Sequence, residues 1–368
     1  MENQQYSQNE IIIPKKKRRI WLWFLVVAVL IFGAIGVFFY KASYTFSQIS
    51  VKNPSAGGIL PLADNIPLPV QDPDRINILL LGYGGEGHDG PYLTDSILLV
   101  SIQKSTGRVG LISIPRDLYV TMPGETYKEK INNAYSLGLE KKGVAGALFL
   151  SKTAVSRATG LYIDHTVSVD HEAFKQIVDI IGGVDVKLNK PFIEDQQWVR
   201  GGDYGPSFAI NIKTYTATSS SSTVATITQK YVFELPSGVS HLDGITALYF
   251  VRARYATNDF DRMGRLQQTL LAVKDKVLTL GILGNPVRLL QIMDSLGQNI
   301  KTDMTTGEMT DLLAMYPKLD TKNYVRKVLD ISPNGLLYAS KAIDGAYILL
   351  PIGDNFDKIQ EMCKNIFQ

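Results

Sequence analysis

The sequence is poor in the residues and motifs that most often carry covalent chemistry. Cys363 is the only cysteine among 368 residues, and there are four histidines. A single cysteine excludes an intrachain disulfide, so the fold must be stabilised by packing. The sequence also lacks G-x-S-x-G, the motif of a serine nucleophile, and the phosphate-binding loop G-x-x-x-x-G-K-[ST]. These absences argue against a serine hydrolase of that type and against a P-loop nucleotidase.

Net charge is also lacking beyond the first nineteen residues. Residues 1–19 contain a block of five basic side chains at 15–19 against Glu2 and Glu10, which accounts for the whole formal charge of +3. The rest of the chain is therefore formally neutral. Because a general nucleic-acid-binding protein carries a basic excess over a broad surface, nucleic acid is not predicted as a partner.

A long uncharged stretch follows the basic block. Residues 20–40 contain no charged side chain, and a helix of that length spans about 30 Å, the thickness of a bilayer core. The basic block before it predicts a cytoplasmic N-terminus at 1–19 and an exported C-terminal part, hence a single-pass protein of the cell membrane. A cleaved signal peptide has a shorter apolar region, of about 7–15 residues. The basic block also resembles a nuclear import sequence. Because an apolar run adjoins it, we interpret its charges as setting the orientation of the chain in the membrane.

The exported part is predicted to be an α/β protein. Residues 41–75 are rich in proline and glycine and indicate a stalk. A main domain at 76–284, with a loop or hairpin insertion at 196–232, precedes a small C-terminal subdomain at 285–368. Unbroken apolar runs favour strands that are covered on both faces, hence an α/β/α sandwich around a central mixed sheet. The predicted strands are 76–81, 96–102, 109–114, 166–169, 184–188 and 247–251, and the predicted helices are 145–159, 172–181 and 262–280.

Four arginines lie close together in the sequence, at Arg252, Arg254, Arg262 and Arg265. The first two would share one face of the predicted strand, and the last two one side of the following helix. The planar guanidinium binds two phosphate oxygens at once and keeps its charge, so this cluster predicts a phosphate site. The alternative is a solvated basic surface with ion pairs to Asp259 and Asp261.

Further candidate residues stand at the ends of predicted strands. The G-x-G-x-x-G pattern at 82–87 leads into another strand and not into a helix, which argues against a dinucleotide site. Asp95 could hold a hard cation against phosphate oxygens or could simply cap a turn. Arg116 and Asp117 follow the strand at 109–114, where ligands of α/β sheets often bind. Among the histidines, only His88, in the glycine loop, is a candidate for ligand contact.

An ordered set of motifs between Ile76 and Leu280 resembles the LytR-CpsA-Psr family. The motifs are NILLLG at 77–82, LTDSI at 93–97, IPRD at 114–117, KINNA at 130–134, GGV at 182–184, LDGITAL at 242–248, RAR at 252–254 and DFDR at 259–262, followed by Arg265 and Gln267. An N-terminal anchor with an exported domain agrees with the family pattern.

The resemblance implies an α/β fold with a hydrophobic tunnel for a polyprenyl chain. It also implies a Mg²⁺-dependent phosphotransferase that moves a glycopolymer from a polyprenyl-pyrophosphate carrier to peptidoglycan and forms a phosphodiester link. In this chain Asp95 would hold Mg²⁺, and Asp259 would orient the arginines or the incoming hydroxyl. The implied pyrophosphate-binding residues are Arg116, Arg252, Arg254, Arg262 and Arg265, and the implied catalytic residues are Asp95, Arg116, Asp259 and Arg262.

The sequence departs from the family pattern at one position. Family members often carry an aspartate two residues after the glycine that ends the first strand, where this chain has Gly84. Asp89 or Glu86, in the same glycine loop, could supply the second metal ligand instead. Two other functions stay open from the sequence: a hydrolase that cleaves the same pyrophosphate with water, and a non-catalytic protein that binds lipid-linked polymer or regulates envelope assembly.

Overall fold

The structure is a computed structural model that describes residues 44, 49–51, 66–195, 211–217, 226–254, 257–279, 299–320 and 323–368. The basic tail and the apolar stretch at 20–40 lie outside these ranges, so the predicted membrane anchor is not part of the description. Within the described ranges, no helix is both long enough and apolar enough to cross a bilayer.

The elements alternate between strands and helices along much of the chain. The strands are β1 (Arg75–Tyr83), β2 (Thr94–Gln103), β3 (Val109–Ile114), β4 (Tyr119–Thr121), β5 (Lys128–Lys130), β6 (His165–Asp170), β7 (Val184–Leu188), β8 (Phe192–Glu194), β9 (Asn211–Ala217), β10 (Thr226–Leu235), β11 (Gly238–Leu242), β12 (Ile300–Thr302), β13 (Tyr324–Val328), β14 (Leu337–Lys341) and β15 (Tyr347–Pro351). The helices are α1 (Asn133–Thr159), α2 (His171–Ile180), α3 (Gly244–Arg252), α4 (Asp259–Thr279), α5 (Thr306–Met315) and α6 (Asp357–Lys364).

A mixed sheet forms the centre of the molecule, in the order β12-β6-β1-β2-β3-β13. Strand β1 runs antiparallel to β2, with Leu79 opposite Leu99, and parallel to β6. Strand β2 pairs with β3 in the antiparallel direction, whereas β13 runs parallel to β3. The sequence prediction of an α/β protein with a central mixed sheet is therefore confirmed.

The two faces of this sheet are covered by different helices. Because side chains alternate along a strand, Leu79 and Leu81 of β1 point to one face, and Leu80 points to the other. The first face packs in a buried cluster with residues of α1 and α6. On the other face, Leu80 belongs to a cluster that includes Leu270 of α4. Three layers result, with helices on both sides of the sheet.

One predicted strand is wrong. Residues 247–251 belong to helix α3, whose N-terminus is capped by Asp243: its Oδ1 atom accepts a hydrogen bond from the backbone N–H of Thr246 at 2.8 Å. The side chains of this stretch are buried among other apolar groups, and a short buried apolar run fits a helix as well as a strand. Arg252 is therefore the last residue of a helix, and Arg254 lies in the connection to α4.

The C-terminal part completes the central sheet and does not form the appended subdomain predicted at 285–368. Strand β12 pairs with β6, and β13 pairs with β3, so these strands cover its two outer edges. Unpaired strand edges expose hydrogen-bonding groups, which favours this arrangement. Part of the predicted stalk also packs here, because the N–H of Val51 donates to the carbonyl of Thr302 at 2.8 Å. The predicted insertion at 196–232 includes β9 and most of β10, which pair in the antiparallel direction; β10 continues to Leu235.

Candidate functional site

A cavity of about 470 Å³ lies between the central sheet and helices α2 and α4. This volume falls within the range of about 300–1,000 Å³ that is usual for small-molecule sites. Its lining divides into an apolar interior and a charged mouth. The apolar lining includes Leu80 and Leu98 of the sheet, Phe174 and Ile177 of α2, and Leu266, Leu270 and Val273 of α4.

The apolar lining explains why several large side chains of α4 stay only half-buried inside the domain. Leu266, Leu270 and Val273 recur at helical spacing on one side of α4, and each keeps part of its surface accessible. They line the cavity and also pack against buried apolar clusters beside it. Since removing apolar surface from water lowers the free energy, this interior suits an apolar ligand or an apolar part of one.

Arg116 stands at the mouth, on the turn that follows β3. Its Nη1 atom donates a hydrogen bond to Oδ1 of Asp95, and its Nε atom lies 3.8 Å from Oδ2 of Asp117. Lys130 of β5 pairs with the other oxygen of Asp117 at 2.8 Å and helps to fix this turn. Burial favours the neutral form of Asp95, but the charges of Arg116 and Arg262 outweigh it and hold the pKa of Asp95 below its ordinary value.

Arg262 reaches the same mouth from the first turn of α4. Asp259, one turn earlier, accepts a hydrogen bond from the Nε atom of Arg262 at 3.0 Å. Arg262 is only 5% exposed. Burial lowers the pKa of Arg262, an effect that the charges of Asp259 and Asp95 oppose. A buried guanidinium has five N–H groups, and a hydrogen-bonded carboxylate does not use all of them. The others can donate hydrogen bonds to an anionic ligand.

Two more predicted arginines line the cavity, and one does not. Arg252 and Arg254 contribute to the mouth together with Arg116 and Arg262. The Nε atom of Arg265, in contrast, donates to the carbonyl of Phe250 at 2.8 Å, and its other nitrogens donate to Ala253 and Thr257. The structure thus brings four of the five predicted arginines together.

Arg265 is held outside the cavity lining, against two aromatic rings. Its guanidinium carbon lies 4.8 Å from the ring centre of Phe192 and 5.7 Å from that of Phe250. Burial lowers the pKa of Arg265 to about 10. With its hydrogen bonds directed at the end of α3, this side chain fixes the segment that carries Arg252 and Arg254.

The glycine loop at 82–87 has Gly84 at the position where family members often carry an aspartate, and His88, which follows the loop, packs against it. A Cβ atom at Gly84 would lie 2.9 Å from the Cβ atom of His88, so the loop leaves no room for a side chain there. His88 lines the cavity, and so does Asp89. Glu86 does not, and one of its oxygens instead accepts a hydrogen bond from the hydroxyl of Tyr92 at 3.4 Å.

Sequence reasoning missed two residues of the mouth, Asp170 and His171. Asp170 ends β6 and caps α2, accepting a hydrogen bond from the N–H of Ala173 at 2.8 Å, and burial raises its pKa. The ring of His171 lies 5.0 Å from that of His88, edge to face. The available signal was the position of both residues at the carboxyl end of a strand, where α/β proteins bind ligands.

The charged mouth fits a magnesium ion only together with a ligand. Among the residues that the structure describes, no group of three or more His, Cys, Asp or Glu side chains is arranged to hold a metal ion. Magnesium is usually held by one or two carboxylates, with water and substrate phosphates completing the octahedron. Asp95, with Asp89 in the same lining, matches that pattern.

These features define a mixed α/β domain whose cavity suits an amphipathic ligand with an apolar tail and an anionic head. The chain belongs to the LytR_cpsA_psr family, whose model matches residues 41–365. A relative from Bacillus anthracis, polyisoprenyl-teichoic acid–peptidoglycan teichoic acid transferase TagU, is 27% identical over 339 residues, which are 90% of this chain and 92% of that protein.

Solved structures share the fold. The crystal structure of TagV from B. subtilis matches with a TM-score of 0.55 and 23% identity, over 80% of this chain and 98% of that one. The structure of TagT bound to LI-WTA matches with a TM-score of 0.54 and 23% identity, over 80% of this chain and 90% of that one. Both likenesses support the mixed α/β architecture.

Proposed function

We propose that this chain is a transferase that moves a glycopolymer from a polyprenyl-pyrophosphate carrier to peptidoglycan. The observation that carries the proposal is one cavity that joins an apolar interior to a mouth lined by Arg116, Arg252, Arg254 and Arg262. A lipid diphosphate has the matching chemistry, with an isoprenoid tail and an anionic head. The name of the relative TagU, a teichoic acid transferase, supports a glycopolymer donor and a peptidoglycan acceptor.

The reaction would need little covalent chemistry from the protein. A hydroxyl oxygen of the acceptor attacks the phosphorus atom that carries the glycopolymer, and the bond from that phosphorus to the bridging oxygen breaks. Polyprenyl phosphate leaves with the bonding electrons, and the hydroxyl proton passes to solvent. The four arginines hold the diphosphate in line and stabilise the charge that develops on the leaving group.

The two carboxylates beside the arginines act as positioning groups. Asp259 holds Arg262, and Asp95 holds Arg116, through the hydrogen bonds described above. A pKa below the ordinary value makes Asp95 a weak base, which favours binding a cation over removing the acceptor's proton. We assign Asp95, with Asp89, as the protein ligands of Mg²⁺. When bound, this ion would neutralise charge on the diphosphate.

The proposal includes a membrane location. Residues 20–40 would anchor the chain, with the N-terminus in the cytoplasm and the domain outside, close to a carrier lipid in the same bilayer. Protease added to intact protoplasts should digest the C-terminal domain. Protection of that domain until the cells are lysed would contradict this topology.

The test is turnover of a synthetic polyprenyl-pyrophosphate-linked saccharide by the detergent-purified full chain, with peptidoglycan present or absent. Arg116→Ala should lower the transfer rate by about 10²–10³-fold, as expected when one charge-stabilising group is removed. The exposed Arg326 of β13, which does not line this cavity, provides the matched control Arg326→Ala. Product formation should fall when magnesium is chelated.

The products separate this function from its alternatives. A new phosphodiester on peptidoglycan supports the transferase, whereas release of the saccharide phosphate at the same rate without peptidoglycan indicates a hydrolase. Binding of the donor with no turnover indicates a non-catalytic protein. An Arg116→Ala variant that turns over donor at the original rate would refute the assignment of the mouth as the catalytic site.

A further inference from the structure

The C-terminal hairpin of β14 and β15 is attached to the turn that carries Arg116. The backbone N–H of Leu349 donates to the carbonyl of Asp117 at 2.9 Å, and Leu349 forms a parallel bridge with Leu118. Both leucines are buried, with exposures of 2% and 0%. Because a backbone hydrogen bond and a packed core contact both act at this point, the hairpin is fixed relative to the cavity mouth.

Tyr347, the first residue of β15, is placed by this attachment beside the mouth. It precedes Leu349 by two residues, so both side chains leave the same face of the strand. Because the bridge is parallel, the residues before Leu349 lie on the same side as those before Leu118, so Tyr347 lies on the side of the turn at Asp117. Leu349 uses that face for packing, but Tyr347 is 47% exposed. An aromatic ring is therefore partly exposed to solvent close to the turn that carries Arg116.

The surroundings of Tyr347 keep its hydroxyl protonated. Burial raises the pKa of Tyr347, and the negative charges of Asp117 and Asp259 raise it further. These carboxylates are the same groups that pair with Arg116 and Arg262. The ring thus combines a broad apolar face with a neutral hydroxyl that donates and accepts hydrogen bonds.

We propose that Tyr347 is the platform on which a sugar ring of the acceptor glycan stacks before transfer. This inference rests on the proposed function and extends it to the acceptor. Sugar rings present C–H groups on one face and hydroxyls at their edges, which match an aromatic face with a neutral hydroxyl. The donor's isoprenoid occupies the cavity interior, so the acceptor hydroxyl must arrive from solvent at the mouth, where Tyr347 lies.

A packing role alone does not explain this residue. A tyrosine that serves only the core buries its ring, as Tyr135 does at 1% exposure. Tyr338 offers the matched comparison. It lies on the same hairpin but opposite Leu350, hence on the other face, and it is 37% exposed. Both residues are tyrosines of similar exposure, but Tyr338 lies on the opposite face of the hairpin from Tyr347, where its hydroxyl donates to Asp354.

The test is acceptor-dependent kinetics of the full chain with the lipid-linked saccharide as donor and soluble peptidoglycan fragments as acceptor. Tyr347→Ala should raise the KM for the fragments about tenfold, the size expected for loss of one aromatic stacking contact. The KM for the donor should stay unchanged. Tyr347→Phe should keep most of the acceptor affinity, and Tyr338→Ala should behave as the wild type.

Binding without turnover provides a second measurement that does not depend on the proposed reaction. Affinity of the full chain for the same fragments, measured by calorimetry, should fall about tenfold in Tyr347→Ala and stay unchanged in Tyr338→Ala. If the wild type binds fragments in this Tyr347-dependent way but transfers nothing, the proposed function fails and the platform stands. Fragment affinity that is equal in wild type and Tyr347→Ala, or equal losses for donor and acceptor, would overturn the platform.

Discussion

The contrast between Arg262 and Arg265 gives the sharpest test of how the site is built. The two residues are three positions apart on α4, and the resemblance implies that both bind pyrophosphate. In the structure, Arg262 lines the cavity, whereas the guanidinium of Arg265 donates its hydrogen bonds to other groups of the protein. Replacing each by alanine should therefore damage different properties of the protein.

Arg265→Ala should mainly destabilise the domain. The change removes hydrogen bonds to the carbonyls of Phe250 and Ala253 and to the hydroxyl of Thr257. A bond from a charged donor is worth about 1.5–3 kcal/mol, and a buried acceptor left without a partner costs about 1–3 kcal/mol. Since such terms are not additive, we expect a loss of about 3–5 kcal/mol, close to that for breaking a buried charged contact.

This loss should be visible as a thermal shift. At about 2–4 °C per kcal/mol for a domain of this size, the unfolding temperature of Arg265→Ala should fall by about 10 °C. Arg262→Ala should lower the unfolding temperature less than Arg265→Ala does, because its partner Asp259 is a quarter exposed and can be hydrated, but it should lose transfer activity by about 10²–10³-fold. Turnover must be measured well below the unfolding temperature of the weaker variant, with Arg265→Lys as the charge-preserving control.

The reasoning is refuted by the reverse pattern. If Arg265→Ala unfolds at the wild-type temperature and loses as much turnover as Arg262→Ala, then Arg265 binds the ligand. Its hydrogen bonds to α3 would then contribute little to the stability of the domain. Equal destabilisation of both variants would show that Arg262 is also a structural residue.

Three further predictions concern the cavity, a buried ion pair and the lone thiol. Leu270→Trp, which fills the apolar interior, should weaken donor binding about tenfold or more in a titration with the lipid-linked donor, and undiminished binding would show that the tail lies elsewhere. Asp303→Asn should lower the free energy of unfolding, measured in urea, by about 3 kcal/mol. The Nζ atom of Lys152 lies 2.6 Å from Oδ2 of Asp303, so the variant leaves a buried charge without its partner. An unchanged midpoint of the urea transition would contradict this. Cys363, whose pKa burial raises to about 12, should react with a thiol reagent at pH 8 only after denaturation, and native labelling would show that α6 detaches.

The central strands were predictable because their apolar runs are unusually long. The run predicted at 109–114 coincides with β3, and every residue of β3 is buried. The same criterion failed at 247–251, where α3 is as apolar and as buried as a strand. Asp243, capping that helix, was the local signal that hydropathy alone does not register.

The mouth of the cavity was predictable in part. Arg116 follows from its position after the carboxyl end of β3, a rule that concerns sheet topology and needs no coordinates. Asp95 lies at the amino end of β2, so that rule does not account for its place in the mouth. The separation of Arg262 from Arg265 was not predictable, because spacing assigns both to one side of a helix and says nothing about which carbonyls lie nearby. The position of Tyr347 was not predictable either, since about 230 residues separate it from the turn at Asp117 to which its hairpin is attached.

The order of strands has a consequence for how this protein matures. Both outer strands of the central sheet, β12 and β13, come from the last seventy residues, whereas β1, β2, β3 and β6 are made much earlier. A chain synthesised from its N-terminus therefore presents a sheet with two bare sides until its final segment emerges. Such a nascent chain is prone to mispair with other polypeptides, so its folding should depend on chaperones that bind it until the last strand has docked.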